Sequence, residues 1–325
     1  MPTIVKTMEA LPDLEGKTKL IKKGKEVQEI QIGRFDPSTC IPPTKDEISG
    51  KSPSKGGVKV LVIGAPGSGK THFIQWLLLS KAHLIPTAVV MSGTEAETGF
   101  YGRFIPPSYV YTEYDNDVVE NFCAVQKKMS SSLGGRQKWA ALVLDDFAAE
   151  IKNMNKTVSD THTRLLKNGR HHNMLYILGV QDVYDVPADK RTSFDFIVLF
   201  NITNKQRLHS AMSLFAGVFP SEDIGIQVFN EITMSKYNAM IMRNNEGDLE
   251  KALYWGRAPA NLPETTFGSV EYRSYGKYVL DKEKFMDDGG SAYYLNKNKT
   301  KTIPNNGFIS SEEDTDDEQQ AAKQN

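Results

Sequence analysis

Between residues 58 and 201, short and nearly continuous apolar runs alternate with longer stretches in which apolar residues recur at helical spacing. The runs KVLVIG (59–64), TAVVMSG (87–93), SYVYTE (108–113), ALVLDD (141–146), MLYILGVQD (174–182) and FDFIVLFN (194–201) are too short for helices and rich in β-formers, so they predict strands. THFIQWLLLSK (71–81), DNDVVENFCAVQKKM (115–129) and SDTHTRLLKNG (159–169) predict helices. Asp115 or Asn116 starts the second, and Asn168-Gly169 is read as the stop of the third. Strands alternating with helices mean a parallel, doubly wound α/β sheet with helices on both faces. Beyond it, the pattern predicts a helix near 204–215 and strands at 226–233 and 236–243. Residues 260–300, rich in Tyr, Gly and Lys, show no assignable period. Ahead of the core, KEVQEIQIGRF suggests one short strand in a Lys-, Pro- and Ser-rich extension that is otherwise mobile or draped over the core.

Composition adds constraints rather than a function. The 325 residues are 39% hydrophobic and 24% charged, ordinary for a globular chain. No apolar run approaches the roughly 18 residues that span a bilayer, and MPTIVKTMEALPDLEG lacks a signal-peptide core. The expected compartment is therefore the cytosol, the nucleus or a comparable one. Cys40 and Cys123 offer neither a disulfide framework nor a C-x-x-C zinc pair, and read as free thiols. The net charge of -1 is uneven. Six acids (Glu312, Glu313, Asp314, Asp316, Asp317, Glu318) against Lys323 make the tail strongly acidic and leave the body mildly basic. That suits a polyanion-binding protein with an electrostatic mimic, although a solvated tail without a partner is the simpler account.

The chemistry concentrates at Gly64-Ala65-Pro66-Gly67-Ser68-Gly69-Lys70-Thr71, which matches G-x-x-x-x-G-K-[ST] with a strand before and a helix after. Glycines allow the tight turn that aims successive N–H groups at phosphates, and the helix N-terminus adds positive potential. Lys70 is placed to reach the β- and γ-phosphates of ATP, and the Thr71 hydroxyl to ligate magnesium. The metal's carboxylate is expected from Val143-Leu144-Asp145-Asp146. Asp145 at the strand end serves the ion, and Asp146 orients or deprotonates the attacking water, or else caps the following turn. Two further strands lie between Lys70 and Asp145, which favours ATPases with a strand inserted between the phosphate-loop and metal-binding strands. Thr203-Asn204-Lys205-Gln206 approaches a guanine motif, but Arg207 stands where the carboxylate is needed. Gln181 ends the strand expected to lie between those two, where it can sense the γ-phosphate, position water, or simply end a strand.

GAPGSGKT, LVLDD, KNGRHHN, ILGVQ and PADKRTSFDFIVLF together resemble the genome-packaging ATPases of nucleocytoplasmic large DNA viruses, within the FtsK–HerA superfamily of P-loop DNA pumps. The likeness covers roughly residues 58 to 260. It implies an ASCE/RecA-like P-loop NTPase domain at 57–260, flanked by an N-terminal extension (1–56), a C-terminal extension (261–309) and a disordered acidic tail (310–325). It implies a homo-oligomeric ring, hexameric or pentameric, that uses ATP and Mg2+ to pull double-stranded DNA into a preformed capsid. The setting would be a capsid or inner-membrane packaging site, in a cytoplasmic viral factory, the nucleus or the virion. Relatives in the superfamily usually carry Glu where this chain has Asp146. Such rings complete each site with a neighbour's arginine. Arg191 is the first candidate and Arg170 the second, and either could equally be an ordinary surface arginine. His171 and His172, adjacent and without nearby ligands, read as a helix end or strand start rather than a metal pair. Lys156, Lys167, Lys205, Arg207 and Lys236 are possible phosphate contacts that no spacing singles out. The alternatives are a cellular HerA-like DNA-processing ATPase, a small-molecule or polynucleotide kinase, and a nucleotide switch. DNA-stimulated phosphate release separates motors from the last two.

Overall fold

The computed structural model describes residues 18–23, 26–51, 56–132, 138–147, 150–151, 153, 155–244 and 246–288. The acidic tail at 310–325 lies outside them. The strands are β1 (Thr18–Lys23), β2 (Glu26–Gln31), β3 (Gly33–Arg34), β4 (Val58–Ile63), β5 (Thr87–Ser92), β6 (Val110–Tyr111), β7 (Ala140–Asp145), β8 (Met174–Val180), β9 (Phe196–Leu199), β10 (Ala239–Arg243) and β11 (Leu253–Gly256). The longer helices are α1 (Lys70–Lys81), α2 (Asn116–Ser132), α3 (Lys156–Asn168), α4 (Lys205–Phe215), α5 (Glu222–Thr233) and α6 (Val270–Asp288).

β1 and β2 form an antiparallel pair of their own. The main sheet runs β3-β11-β10-β9-β4-β8-β7-β5-β6. Its pairs are parallel except at β10, which is antiparallel to both neighbours. Alternation along each strand feeds two apolar layers. Val60 and Val62 pack with Phe73, Ile74, Leu77 and Leu78 of α1. Leu61 and Ile63 face the layer to which α2, α3, α4 and α5 contribute Phe122, Leu165, Met212 and Phe229. Burial of each such side chain contributes about 1.5–3 kcal/mol. Because β4, β8 and β7 are parallel neighbours, their carboxyl ends meet at one edge, where such sheets bind ligands.

The expected inserted strand is thus present: β8 separates the phosphate-loop strand β4 from β7. Some local readings need correction. Residues 226–233 are helical, not a strand: Ser221 accepts from the Ile224 N–H as N-cap, and Val228, Phe229 and Ile232 are buried at helical spacing. A short apolar run does not carry its period unambiguously. By contrast, α3 ends at Asn168 with Gly169 as its C-cap, as read; Gly169 is right-handed, the chain continues through a 3-10 turn, Gly169–His172, and the left-handed residue is Asn173 (φ 49°). His171 and His172 therefore sit at a helix end. The strand expected at 108–113 shrinks to Val110–Tyr111 behind the turn Pro107–Tyr109.

The outer segments also join the core. Part of the unassigned stretch forms α6, whose Tyr272 is buried, donates its hydroxyl to the Ala88 carbonyl (2.7 Å) and stacks on Tyr109. In the N-terminal segment, β3 pairs with β11, and Phe35 and Ile41 are buried beside α1.

Candidate nucleotide site

The loop between β4 and α1 turns on glycines where side chains do not fit. Gly67 (φ 73°) and Gly69 (φ 98°) are left-handed, and a Cβ on Gly64 would collide with Ser68 Oγ. The loop delivers Lys70 and Thr71 as the first residues of α1, where backbone N–H groups without helical acceptors favour an anion.

Five side chains from three segments converge behind it. The Lys70 ammonium pairs with Asp146 Oδ1 and lies 3.5 Å from Asp145 Oδ1. Thr71 Oγ1 donates to Asp145 Oδ2 at 3.1 Å, and the Tyr101 hydroxyl donates to the same oxygen at 2.9 Å. Asp145 is fully buried. Its other oxygen, Oδ1, has no hydrogen-bond donor among the described residues. Burial pushes the Asp145 carboxyl above its usual range, the Lys70 charge opposes this, and the Asp146 charge reinforces it. Burial, and then the Asp145 charge, push the Tyr101 phenol well up, so it stays a donor.

The convergence of the two aspartates has a backbone cause. Consecutive strand residues point to opposite faces of a sheet. Asp146 breaks that alternation with a left-handed backbone (φ 61°), which Asp tolerates better than most residues. Its N–H donates to the Gly179 carbonyl at 3.1 Å as the strand ends. Gly179 on β8 is equally required, because a Cβ there would strike Asp145 Oδ1. Tyr101 is aimed by Glu95, whose buried carboxylate accepts from the N–H groups of Tyr101 and Gly102, both at 2.9 Å.

A buried carboxylate oxygen that accepts no hydrogen bond, beside a hydroxyl, is a hard-oxygen donor set that fits magnesium. No group of three or more His, Cys, Asp or Glu gathers among the described residues, so phosphate and water oxygens would complete the ion's shell.

Beside the loop opens a cavity of about 390 Å³, bounded by Pro66–Ser68, Gln181, Asn201–Asn204 and the turn 234–238. Gln181 lies exposed at the end of β8 and lines this space. The Arg207 Nε pairs with Asp182 Oδ2 at 2.7 Å across the same cavity. Arg191 is held locally: its Nε donates to the Val186 carbonyl (2.7 Å), and its guanidinium lies 5.2 Å from the Tyr184 ring centre. Arg170 precedes β8, whereas Gln181 follows it, so Arg170 sits at the opposite sheet edge, about 20 Å from the loop by strand rise. Lys156 and Lys167 on α3 are exposed, as are Lys205, Arg207 and Lys236.

The structure adds Tyr101, Glu95, Gly179 and Tyr237 to the residues expected from sequence. They touch the site across strands or turns, and no local spacing announces them.

The family model described as "Poxvirus A32 protein" matches residues 48–245. The chain is 35% identical over 236 residues to protein 088R of Invertebrate iridescent virus 3, a match covering 70% of this chain and 87% of that one. It is 33% identical over 256 residues to protein 075L of Invertebrate iridescent virus 6, covering 78% and 95%. Among solved structures, the genome packaging NTPase B204 from Sulfolobus turreted icosahedral virus 2, in complex with AMPPCP, is similar with a TM-score of 0.45 at 21% identity, over 63% of this chain and 100% of that one.

Proposed function

This chain belongs to the family of the poxvirus A32 protein, and from that premise we propose that it is an ATPase whose hydrolysis drives double-stranded DNA into a preformed viral capsid. The observation that carries the catalytic part is the meeting of Lys70, Thr71, Asp145 and Asp146 behind a glycine loop at a helix N-terminus. Loop N–H groups and the Lys70 ammonium receive the triphosphate, exchanging the Asp146 carboxylate for phosphate oxygens. That exchange frees Asp146 to take the proton of an attacking water or to orient it. Thr71 and Asp145 would hold magnesium, which neutralises charge on the transferring phosphoryl group. Tyr101 fixes the Asp145 oxygen shared with Thr71, so the carboxylate does not rotate.

Packaging itself is the role implied by the likeness of GAPGSGKT, LVLDD, KNGRHHN and ILGVQ to viral DNA pumps, and family membership supports it. A ring of copies, hexameric or pentameric, suits a site whose Gln181 flank is open and which has no arginine of its own chain poised behind the phosphates among the described residues. Its place of action would be a packaging site on the capsid or inner membrane, in a viral factory, the nucleus or the virion. The test is phosphate release by the full chain with MgATP, with and without long double-stranded DNA. Strong stimulation is expected. Hydrolysis indifferent to DNA would overturn the motor and favour a switch, and transfer of the γ-phosphate to an acceptor other than water would favour a kinase.

A further inference from the structure

We propose that the cavity beside the phosphate loop takes the nucleobase, with the Tyr237 ring as its stacking platform, and that the base is held by its face rather than read at its edge. The inference rests on the nucleotide reading above and deepens it.

Tyr237 stands in the turn between α5 and β10 with φ 70°, a left-handed conformation that is strained for an aromatic residue. The turn is fixed on both sides: the Asn238 N–H donates to the Ser235 carbonyl (3.1 Å), and its amide donates to the Ile232 carbonyl (3.1 Å). The result is a ring set against the loop. A Cβ on Gly69 would stand 3.0 Å from Tyr237 Cδ1, so the tyrosine adjoins the last glycine before Lys70. Although it touches the loop, Tyr237 remains 43% exposed, and Met234 beside it is 61% exposed. Large apolar side chains are thus presented to the cavity rather than withdrawn into the core. A triphosphate lying on the loop would direct its base into this same space.

What covers the ring is exchangeable. The Lys236 ammonium lies 4.8 Å from its centre, and an exposed cation–π contact is weaker than a base stacked on an aromatic ring. On displacement that ammonium remains near the triphosphate.

Edge recognition is poorly provided for. The Asn201 amide donates to the Thr233 carbonyl (3.2 Å), and Asn204 accepts from the Arg207 N–H (3.1 Å). Asp182 is the carboxylate lining the cavity, and both its oxygens are engaged, one by Arg207 and the other by the Tyr184 N–H (3.0 Å). Guanine's N–H donors therefore find no uncommitted side-chain carboxylate, and the Gln181 amide that lines the same cavity can both donate and accept, so it does not by itself tell one purine from the other. Face-on stacking accepts either purine.

The test measures binding of MgATP, MgGTP and magnesium tripolyphosphate, which has no base, to the full chain by calorimetry. The variants are Tyr237→Gly, which accepts the left-handed backbone without strain, and Tyr237→Phe, which keeps the ring. Expected are ATP and GTP affinities within about tenfold of each other in the unaltered chain. Tyr237→Gly should lose about tenfold for both nucleotides, with no change for tripolyphosphate, and Tyr237→Phe should bind as the unaltered chain does. If Tyr237→Gly binds ATP as well as the unaltered chain, or weakens tripolyphosphate equally, the ring is only a prop for the loop. A preference for one purine beyond about a hundredfold would overturn face-only recognition. If the unaltered chain binds neither nucleotide nor tripolyphosphate, the nucleotide site itself is lost, an outcome distinct from failure of the stacking role.

Discussion

On the β7 side of the phosphate loop, Lys70, Tyr101 and Asp145 are 5% exposed or less and bonded to one another. On the β9 side, Gln181, Arg207, Lys236 and Tyr237 face solvent. There, Arg207 pairs with Asp182 and Lys236 lies on Tyr237. The first flank is preorganised, because burial, a raised carboxyl and a fixed phenol leave its donors little freedom. The second is built of exposed contacts that exchange at little cost. The two flanks thus differ in rigidity: one is sealed and mutually bonded, the other open and exchangeable.

The largest effect should come from the buried flank. Asp146→Asn is expected to lower hydrolysis by about 10²–10⁴-fold while nucleotide affinity holds or rises, because the amide competes less with phosphate for Lys70. Turnover and equilibrium binding measured on the same preparation decide it, and near-normal turnover would remove Asp146 from the chemistry. Next comes the packing behind that flank. His162 is buried between the hydroxyls of Tyr114 (3.2 Å) and Tyr176 (3.4 Å). Burial, aided by Lys190, lowers its pKa from 6.5 to about 4. The folded chain keeps it neutral while the unfolded chain takes up a proton, so stability falls as pH drops from 6.5 toward about 4, by roughly 3 kcal/mol. Urea midpoints across that window should slope for the unaltered chain and flatten for His162→Gln; equal slopes would assign the loss to other groups.

Tyr101→Phe removes one of two donors to Asp145 Oδ2 and should raise the magnesium concentration for half-maximal hydrolysis about tenfold. An unchanged magnesium titration would make Tyr101 a packing residue only. The smallest effect on the isolated chain is expected from Arg191→Ala, about twofold, since its contacts are one carbonyl and one exposed ring. A much larger loss confined to DNA-stimulated hydrolysis would identify the arginine that completes a neighbour's site. If Arg191→Ala and Arg170→Ala both leave stimulation intact, neither does so, and the open flank is completed some other way.

The same contrast marks what could be read from the sequence. The glycine loop, the Asp145–Asp146 strand end and the Gln181 strand are local patterns, and the sheet order they imply is present. Tyr101 and Glu95 act through a turn aimed across β5, and Gly179 matters only because β8 lies beside Asp145. Such relations exist between segments, not along them. Tyr237 was hidden because the helix ahead of it, Glu222–Thr233, carries β-branched residues that read as a strand. The pattern also sets residue 237 inside a strand at 236–243, whereas β10 begins at Ala239 and Tyr237 belongs to the left-handed turn before it.

The buried Lys81 closes the helix that begins at Lys70. Its ammonium donates to the carbonyls of Ser38 (3.2 Å) and Pro43 (3.1 Å), and Phe35 stacks on Phe73 one layer away. The ATPase domain expected at 57–260 therefore draws packing and hydrogen bonds from residues ahead of 57. Trimming to that point would strip both acceptors from an amine sealed in the interior and leave a hole where Phe35 and Ile41 had been. The helix that presents Lys70 is anchored at its far end by the strap 35–43, so an edit there would be felt about one helix length away.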